Sequence, residues 1–380
     1  MRTLIINAGS SSTKVSVIEE DNTLFSGSLP PASVPSVMTT IADLIGRFKP
    51  GATGHRIVHG GPKYLTPLLV TKDMEEEVAK LADLAPLHNP PALSLLDTVI
   101  KLHPDVPAVA CFDTTFFSSL PYYSATYAIP AEWREHWGIR RYGFHGLSHS
   151  WASHRGSELV CRSFDSLRIV TAHLGSGASL AAIAYGQVVD TTMGFTPLEG
   201  LVMSTRSGSV DPGILTHVMR YGHLSPDDLE DVLEHRSGLV ALAGTADLQA
   251  IIQRYQQGDK QATLAWKVYL HRLQTSIGSM AAACGGMDLL IFTGGAGENS
   301  PILRQEVCTG LEFLGISVDP RINDATQPSS ASASSSDMQN ILHEDIVISS
   351  NGLPGVAIVH AREDIEIARQ VESVLNGYLR

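Results

Sequence analysis

The sequence predicts an α/β protein built from two domains, and three observations support this. A pattern of apolar run, glycine- and serine-containing turn and second apolar run occurs twice, at residues 3–19 and 167–184. Helical patterns follow apolar runs repeatedly along the chain, as expected for helices packed on a sheet. The chain has 380 residues, of which 43% are hydrophobic, and this length exceeds the usual size of one hydrophobic core.

The first strand pair is predicted from TLIINAGSSSTKVSVIE, where Val15 and Val17 alternate with Ser16 and Ile18 after a polar turn. The second pair, in LRIVTAHLGSGASLAAIAYGQVVDTT, is followed by a turn at Tyr185 and Gly186 and by a third strand. We therefore expect one hairpin unit in two copies, whose turns face each other across a cleft where a ligand binds.

Helices are predicted from DMEEEVAKLADLAP and from the longer LAWKVYLHRLQTSIGSMAAACGG, which has apolar residues at helical spacing. A third glycine segment, DLLIFTGGAGENSPILRQEV, follows an apolar strand as a loop and opens a helix near Pro301. The segment 327–340 is poor in apolar residues, which predicts a surface loop.

Composition excludes several classes of partner and location. The net charge of −12 argues against broad binding to nucleic acid or to an acidic membrane, because both need a concentrated positive surface. The four cysteines are scattered without paired spacing, which favours a reduced cytoplasm. We recognise no signal sequence and no apolar run long enough to span a bilayer, so we expect a cytoplasmic protein.

Two of the glycine turns are compatible with phosphate binding but are not diagnostic. GSSSTK at residues 9–14 lacks the spacing of a Walker A loop, and a plain hairpin turn explains it equally well. GSGASL at residues 175–180 has Leu180 where a dinucleotide fingerprint needs its third glycine, and no helix follows. Backbone N–H groups in either turn could still approach an anion, because the glycines leave room.

Two arginines and an aspartate are candidates for ligand contact. Arg56 lies between glycines in GHRIVHGGP, where we favour binding of a carboxylate or phosphate by its planar donor fork, with a surface charge as the alternative. Arg206 in TRSGSVDPG is a second such donor, with a salt bridge at a domain edge as its alternative. Asp113 ends the apolar run VPAVACF and could cap a helix, orient a nucleophile or hold magnesium through water.

Nine motifs occur in one order from end to end: NAGSSSTK, GHRIVHGG, LAPLHNPPA, FDTTF, YGFHGLSH, HLGSGAS, MGFTPLEGLVMSTRSG, FTGGAGENS and AREDIEIAR. This ordered set resembles the acetate kinase family. The resemblance implies two ribonuclease H-like domains around a central nucleotide and substrate cleft, as in sugar kinases, Hsp70 and actin, and usually a homodimer. It also implies reversible, Mg²⁺-dependent phosphoryl transfer between ATP and acetate, giving acetyl phosphate and ADP, with Mn²⁺ as a possible substitute for Mg²⁺.

The same resemblance implies roles for individual residues. The catalytic group would be Asp113, Arg56, Arg206 and His145. Arg56 would also contact the acid, whose methyl pocket would be formed by Val58, Leu87, Phe144 and Pro197. Asn7 and Glu363 would lie on the metal side. The nucleotide contacts would be Ser12, Lys14, His173, Leu174, Gly175, Ser176, Gly177, Asp247, Leu248, Gln249, Gly295, Ala296, Gly297, Glu298 and Asn299.

The chemistry of phosphoryl transfer agrees with these roles, because the reaction needs in-line positioning and positive charge more than covalent help. A carboxylate that attacks phosphorus is already ionised near neutral pH and needs no base. We therefore interpret Asp113 as an orienting group on the metal side of the site, and not as a proton acceptor. His88, by contrast, we interpret as structural.

The sequence departs from the family pattern on the side of the phosphoryl donor. Ser176 stands where the family usually has asparagine, and Gln249 stands where an arginine usually lies against the base. Ser204, Ser209 and Phe117 also differ from the usual residues. ATP remains the expected donor, with another nucleotide or pyrophosphate as the alternative.

Two other functions remain open at this stage. One is a kinase for propionate, butyrate or another short-chain acid, which would differ in pocket volume. The other is a nucleotide-driven clamp, although a clamp has no need of the second-substrate residues. We expect the first domain to comprise residues 1–113 and 364–380, with the C-terminal helix packed through Ile365, Ile367 and Val371, and the second domain to comprise residues 117–363.

Overall fold

The structure is a computed structural model that describes residues 1–9, 12–32, 34–81, 89–326, 344–350 and 352–378. The chain forms two compact units, each described here by itself. Unit 1 comprises Met1–Ser118, Tyr127–Trp151 and Arg362–Arg380, and unit 2 comprises Ser119–Thr126 and Ala152–Ala361. The expected surface loop at 327–340 lies outside the described residues.

Unit 1 is built on a mixed sheet. Its strands are β1 (Arg2–Ala8), β2 (Thr13–Glu19), β3 (Asn22–Leu29), β4 (Ala52–Ile57), β5 (Leu68–Leu69) and β6 (Ala108–Phe112), in the order β3-β2-β1-β4-β6-β5. β1 pairs parallel with β4, and β4 with β6, whereas β2, β3 and β5 run antiparallel to their partners. The predicted first hairpin is therefore confirmed as β1 and β2.

Unit 2 repeats this sheet. Its strands are β7 (Arg168–Leu174), β8 (Ala178–Ala184), β9 (Gln187–Thr191), β10 (Leu289–Thr293), β11 (Ile346–Val347) and β12 (Gly355–Ile358), in the order β9-β8-β7-β10-β12-β11. The strand directions match those of unit 1 pair by pair, and both sheets have a register shift in the second strand, after Val17 and after Ala182. The predicted fold class and the predicted duplicated hairpin unit are confirmed.

The helices follow the strands. In chain order they are α1 (Pro35–Phe48), α2 (Lys72–Ala79), α3 (Asn89–Leu102), α4 (Tyr122–Ala125), α5 (Ala131–Trp137), α6 (Gly146–Leu159), α7 (Pro212–Gly222), α8 (Pro226–His235), α9 (Gly238–Ala243), α10 (Leu248–Gln256), α11 (Lys260–Ala283), α12 (Gly294–Asn299), α13 (Pro301–Thr309), α14 (Pro320–Ala325) and α15 (Glu363–Tyr378). Helix α11 is the long helix that the sequence predicts, and the helix expected near Pro301 begins there. The segment expected as a glycine loop, residues 294–299, is instead the short helix α12.

The two faces of the unit 1 sheet bury different helices because strand side chains alternate. Leu4 and Ile6 pack with residues of α1 and α3, whereas Ile5 packs with α15. At Gly54 of β4, an added Cβ would lie 2.6 Å from Cγ2 of Ile367. Only a glycine lets α15 approach the sheet so closely, and the packing expected of the C-terminal helix is confirmed for Ile367 and Val371.

The structure groups Tyr127–Trp151 with unit 1, whereas the sequence analysis placed this segment in the second domain. The reason is a set of contacts made after the chain leaves β6. The His59 ring lies edge-on to the Tyr142 ring at 4.5 Å, and the N–H of Gly146 donates to the carbonyl of Asp113 at 3.0 Å. These contacts join positions far apart in sequence, so no local sequence pattern predicts them. No helix within the described residues is long and apolar enough to cross a membrane.

Candidate active site

The polar cluster of unit 1 forms where parallel strands end. Asn7 lies near the end of β1, Arg56 near the end of β4, and Asp113 directly after β6. Because β1, β4 and β6 are parallel neighbours, their carboxyl ends meet at one sheet edge. Arg56 donates from Nε and Nη2 to the two carboxylate oxygens of Asp113, at 2.8 and 2.6 Å, and from Nη1 to Oδ1 of Asn7 at 3.0 Å.

Glu363, the first residue of α15, completes this cluster. Its Oε2 accepts a hydrogen bond from Nδ2 of Asn7 at 2.8 Å and lies 3.9 Å from Nη1 of Arg56. These side chains come from positions up to 356 residues apart in the chain. Arg56, Asp113 and Glu363 together carry one net negative charge when all three are ionised.

Burial and charge act against each other in the Arg56–Asp113 pair. The Asp113 side chain is only 1% exposed and that of Arg56 15%. Burial raises the pKa of Asp113 above its ordinary value, and the Arg56 guanidinium opposes this rise by stabilising the carboxylate. Burial alone would lower the pKa of Arg56, but the carboxylates of Asp113 and Glu363 outweigh it, so the pKa of Arg56 lies above its ordinary value. Asp113 is thus an ion-paired group that orients Arg56.

The His145 loop is attached to the same aspartate. The backbone N–H of His145 donates to the Asp113 carboxylate, and the next N–H, of Gly146, donates to the Asp113 carbonyl. His145 has φ of +57°, a left-handed conformation that is uncommon for residues other than glycine and costs free energy. At Gly146 an added Cβ would lie 2.1 Å from the Asp113 carbonyl oxygen, so the close approach requires glycine. Strain of this kind is typical of functional sites.

The residues predicted for the methyl pocket do not all belong to one unit. Val58 and Phe144 both belong to unit 1 and are buried, and the Phe144 ring lies 5.4 Å from the His59 ring. Pro197 belongs to unit 2. Leu87 and the neighbouring His88 lie outside the described residues. The pocket itself therefore stays a prediction.

The metal-side residues have suitable chemistry for magnesium. Mg²⁺ prefers oxygen ligands, keeps several waters and commonly uses one or two carboxylates together with substrate phosphates. Glu363 offers a carboxylate, and Asn7 offers an amide oxygen with one lone pair left after its bond to Arg56. Among the described residues no group of three His, Cys, Asp or Glu could hold a metal ion alone. Asn7 and Glu363 could thus supply two oxygen ligands to a magnesium ion.

In unit 2, the predicted nucleotide hairpin lies beside the segment that carries Arg206. The turn between β7 and β8 is closed by a hydrogen bond from the N–H of Gly175 to the carbonyl of Gly177 at 3.0 Å. The carbonyl of Ser176, at the exposed tip, accepts from the N–H of Ser204 at 3.2 Å. Ser204 precedes Arg206 by two residues, so the hairpin turn contacts the segment that carries Arg206.

Arg206 forms the salt bridge that the sequence analysis kept as its alternative role. Its Nε donates to Oε2 of Glu234 at 2.6 Å, and its Nη1 donates to the carbonyl of Pro197 at 3.5 Å. Sequence reasoning missed Glu234, since the residue lies near the end of an ordinary amphipathic helix, α8.

The glycine segment 294–299 lies at the ends of β7 and β10. An added Cβ at Gly294 would lie about 3 Å from the backbone of Leu174, so the turn into α12 fits against β7 only with glycine. The Glu298 carboxylate accepts from the N–H groups of Gly294 and Ala361, at 2.8 and 2.9 Å, and the Asn299 amide donates to the carbonyl of Gly295 at 2.9 Å. These two side chains, predicted to contact nucleotide, stabilise their own segment.

A buried arginine holds the same segment from the other side. Arg304 on α13 is 0% exposed, and its Nη1 donates to the carbonyls of Gly297 and Glu298. Asn323, also buried, accepts from its Nε at 2.8 Å. Burial lowers the pKa of Arg304 to about 10. Sequence reasoning missed Arg304, because it stands beside Gln305 and Glu306 in a helix of mixed polarity and nothing local marks it as buried.

The remaining predicted nucleotide residues have mixed surroundings. The Asp247 carboxylate accepts from the N–H groups of Gln249 and Ala250 and thus caps α10, while Leu248 is the first residue of that helix. The Gln249 side chain is exposed. Lys14 of unit 1 is exposed and lies opposite Asn7 in the β1–β2 pairing, and the Ser12 carbonyl closes the hairpin turn by accepting from Gly9 at 2.9 Å. Their nucleotide roles stay predictions.

Comparisons with known proteins agree with the motifs. The model of the acetokinase family matches residues 49–368. The chain belongs to the acetokinase family. The predicted resemblance is therefore confirmed, and the protein is a kinase that uses a carboxyl group as acceptor.

Individual members of the acetokinase family match most of the chain. The acetate kinase of Trichormus variabilis is 45% identical over 85% of this chain and 76% of its own length. The crystal structure of the Porphyromonas gingivalis acetate kinase has a TM-score of 0.87 and 33% identity, covering 98% of this chain and 99% of that one. A propionate kinase structure from Francisella tularensis has a TM-score of 0.86 and 30% identity, covering 97% of this chain and 98% of that one.

Proposed function

We propose that this acetokinase-family protein transfers a phosphoryl group reversibly between ATP and acetate, with Mg²⁺, giving acetyl phosphate and ADP. The observation that carries the proposal is the Asn7–Arg56–Asp113–Glu363 cluster, in which an arginine is fixed by a carboxylate at the ends of parallel strands. The substrates named for the related enzymes agree with it.

In unit 1 the cluster prepares Arg56 to hold an anion. Three of its five N–H groups are taken by Asp113 and Asn7, and two remain for the carboxylate of the acid or for the transferred phosphoryl group. The ion pair prevents the guanidinium from turning away between turnovers. The acid attacks as a carboxylate, so no side chain has to remove a proton.

The charge of the cluster also explains a need for a metal ion. Arg56, Asp113 and Glu363 leave one net negative charge, which disfavours two further anionic substrates. When bound, Mg²⁺ neutralises charge on the phosphate oxygens and orients them. Glu363 and Asn7 would hold it through their oxygens, with water completing the shell.

In unit 2, we assign the donor phosphates to the two segments at the ends of β7 and β10, residues 173–177 and 294–299. Ser176 at the hairpin tip and Gly295 are exposed, and backbone N–H groups in such glycine-containing turns are suitable donors for phosphate oxygens, because glycine has no Cβ to shield them. Arg206 supplies positive charge near the first of these segments.

The test is a hydroxylamine assay of acyl phosphate formed from ATP, Mg²⁺ and acetate. We expect Arg56→Ala and Arg206→Ala each to lower kcat/KM by at least ~100-fold with the fold retained, because each removes charge from the developing transition state. Arg47→Ala and Arg272→Ala, which remove exposed arginines on α1 and α11, serve as matched controls with near wild-type activity. Full activity of either site variant would remove its assigned role, and absence of acyl phosphate with every donor would refute the function.

Propionate and other short acids are the alternative acceptors, since a related structure is a propionate kinase. Rates with acetate, propionate and butyrate distinguish them. For the donor, a screen of ATP, GTP, inosine triphosphate and pyrophosphate is decisive. Ser176→Asn adds a longer amide at the exposed hairpin tip and should lower the KM for ATP, whereas an unchanged KM would show that this position does not set donor affinity.

We further propose a cytoplasmic homodimer. All four cysteines are free thiols, which suits a reducing compartment. Helix α7, described in full, has no buried residue, and it exposes Ile214 and Tyr221, seven positions apart on one face. An exposed apolar stripe is typical of an interface. Light scattering of the wild type and of Ile214→Glu measures the mass, and a wild-type monomer would contradict the dimer.

A further inference from the structure

We infer that Glu234 is a positioning residue that aims the guanidinium of Arg206 at the acid and the transferred phosphoryl group. The inference rests on the role proposed above for Arg206. It is carried by contacts within unit 2 that connect the end of helix α8 to the segment on both sides of Arg206.

The backbone connections come from the unpaired carbonyls at the end of α8. The last carbonyls of a helix have no partner within it and need donors from elsewhere. Here the N–H of Ser207 donates to the carbonyl of Leu233 at 3.0 Å, and Oγ1 of Thr205 donates to the carbonyl of Glu234 at 2.7 Å. The residues before and after Arg206 are thus both attached to the helix end that carries Glu234.

Gly238, the first residue of α9, packs against the same segment. Gly238 has φ of +64°, and an added Cβ there would lie 2.3 Å from the Met203 carbonyl oxygen and 2.6 Å from that of Arg206. Gly238 therefore lies against the Arg206 backbone itself. Glu234 and Arg206 are presented to each other by a closely packed local frame.

The side-chain geometry leaves one edge of the arginine available. Glu234 takes Nε, the donor nearest the chain, and the carbonyl of Pro197 takes Nη1. Nη2 of Arg206 has no hydrogen-bond partner among the residues that the structure describes. An arginine fixed through Nε and Nη1 presents Nη2 to an anion in a fixed direction. Both side chains are mostly buried, 17% and 16% exposed, which limits screening of the pair by water.

This arrangement assigns two functions to the pair. Glu234 holds a flexible side chain in one rotamer, so that the chain is already ordered when substrate binds. Glu234 also occupies Nε of Arg206, which leaves Nη2 for the substrate. Glu234 does not touch the substrate, so its effect must pass through Arg206.

The experiment measures steady-state kinetics with acetate and ATP for Glu234→Ala, Glu234→Gln, Arg206→Ala and the double variant Glu234→Ala/Arg206→Ala. We expect Glu234→Ala to lower kcat/KM for acetate about tenfold, as loss of one charge-assisted hydrogen bond does, while the KM for ATP changes less than about twofold. Glu234→Gln should recover most of the loss, because its amide oxygen still accepts from Nε. The double variant should be no worse than Arg206→Ala.

Glu230→Ala is the matched control, since Glu230 is an exposed glutamate one turn earlier on α8. It should behave as the wild type. Thermal unfolding of every variant separates a folding defect from a kinetic one, and a structural role alone would not produce non-additive kinetics. Wild-type or improved kcat/KM in Glu234→Ala, or additive losses in the double variant, would overturn the inference. A wild-type Arg206→Ala would instead contradict the proposed role of Arg206.

Discussion

Replacing Asp113 by asparagine tests the central ion pair with almost no change of shape. Asparagine can accept one hydrogen bond from Arg56, but its amide nitrogen then faces the second guanidinium donor, so one charge-assisted bond is lost. Such a bond contributes about 1.5–3 kcal/mol to stability. Arg56 keeps 15% exposure and has the Glu363 carboxylate at 3.9 Å, so we expect a loss near 2 kcal/mol.

For a unit of this size, about 2 kcal/mol corresponds to a fall in Tm of about 4–8 °C. Calorimetry of the wild type and of Asp113→Asn measures it. Asp97→Asn is the matched control, because it breaks an exposed ion pair with Lys101 and should cost less than about 0.5 kcal/mol. Equal Tm values for the wild type and Asp113→Asn would refute the argument that this ion pair stabilises unit 1.

The same variant separates an orienting role from a proton-accepting one. If Asp113 accepted a proton, the wild-type rate would fall on the acidic side with the pKa of Asp113, and Asp113→Asn would lose that dependence. We expect a lower kcat with an acidic limb of unchanged shape, since the substrate carboxylate needs no base. A flattened acidic limb in the variant would contradict the orienting role.

Two further predictions concern stability. Gly54→Ala should lower the free energy of unfolding by about 1–3 kcal/mol, because the added Cβ would overlap Ile367. Gly46→Ala on α1, where nothing lies within 4 Å of the added Cβ, should raise that free energy by up to about 1 kcal/mol. Urea titration measures both, and equal effects would contradict the close approach of α15 to Gly54. Burial lowers the pKa of His55 from 6.5 to about 3, so below pH 6.5 only the unfolded state binds that proton, and stability falls as the pH falls towards 3. Between pH 7.5 and 5 the wild type should lose about 2 kcal/mol more than His55→Gln, and a parallel pH dependence would exclude His55 as the cause.

Much of the architecture was predictable because its signals are local. Alternating apolar residues around a polar turn predict β1 with β2, and the same pattern predicts β7 with β8. Helical spacing predicts α11, and a proline predicts the start of α13. The order of the nine motifs then predicted the family, which the match over residues 49–368 confirms.

Other features had no local signal. The helical form of residues 294–299 follows from capping contacts to Ala361 and Arg304, which lie outside that segment. The grouping of Tyr127–Trp151 with unit 1 depends on contacts to residues near 59 and 113. Composition and periodicity predict which face of a helix or strand is apolar. They do not predict which distant element packs against that face.

The sequence by itself determined the hairpins, the main helices, the family and the residue types of the site, because each depends on neighbours in the chain. Only the tertiary structure decided which polar groups pair. Asn7 and Glu363 meet across 356 positions because one ends near the edge of the sheet and the other begins α15. Arg206 meets Glu234 because the open carbonyls of α8 need donors from its segment. Hydrogen bonds and ion pairs between distant elements depend on the apolar burial that holds those elements together, and a local sequence pattern does not specify that arrangement.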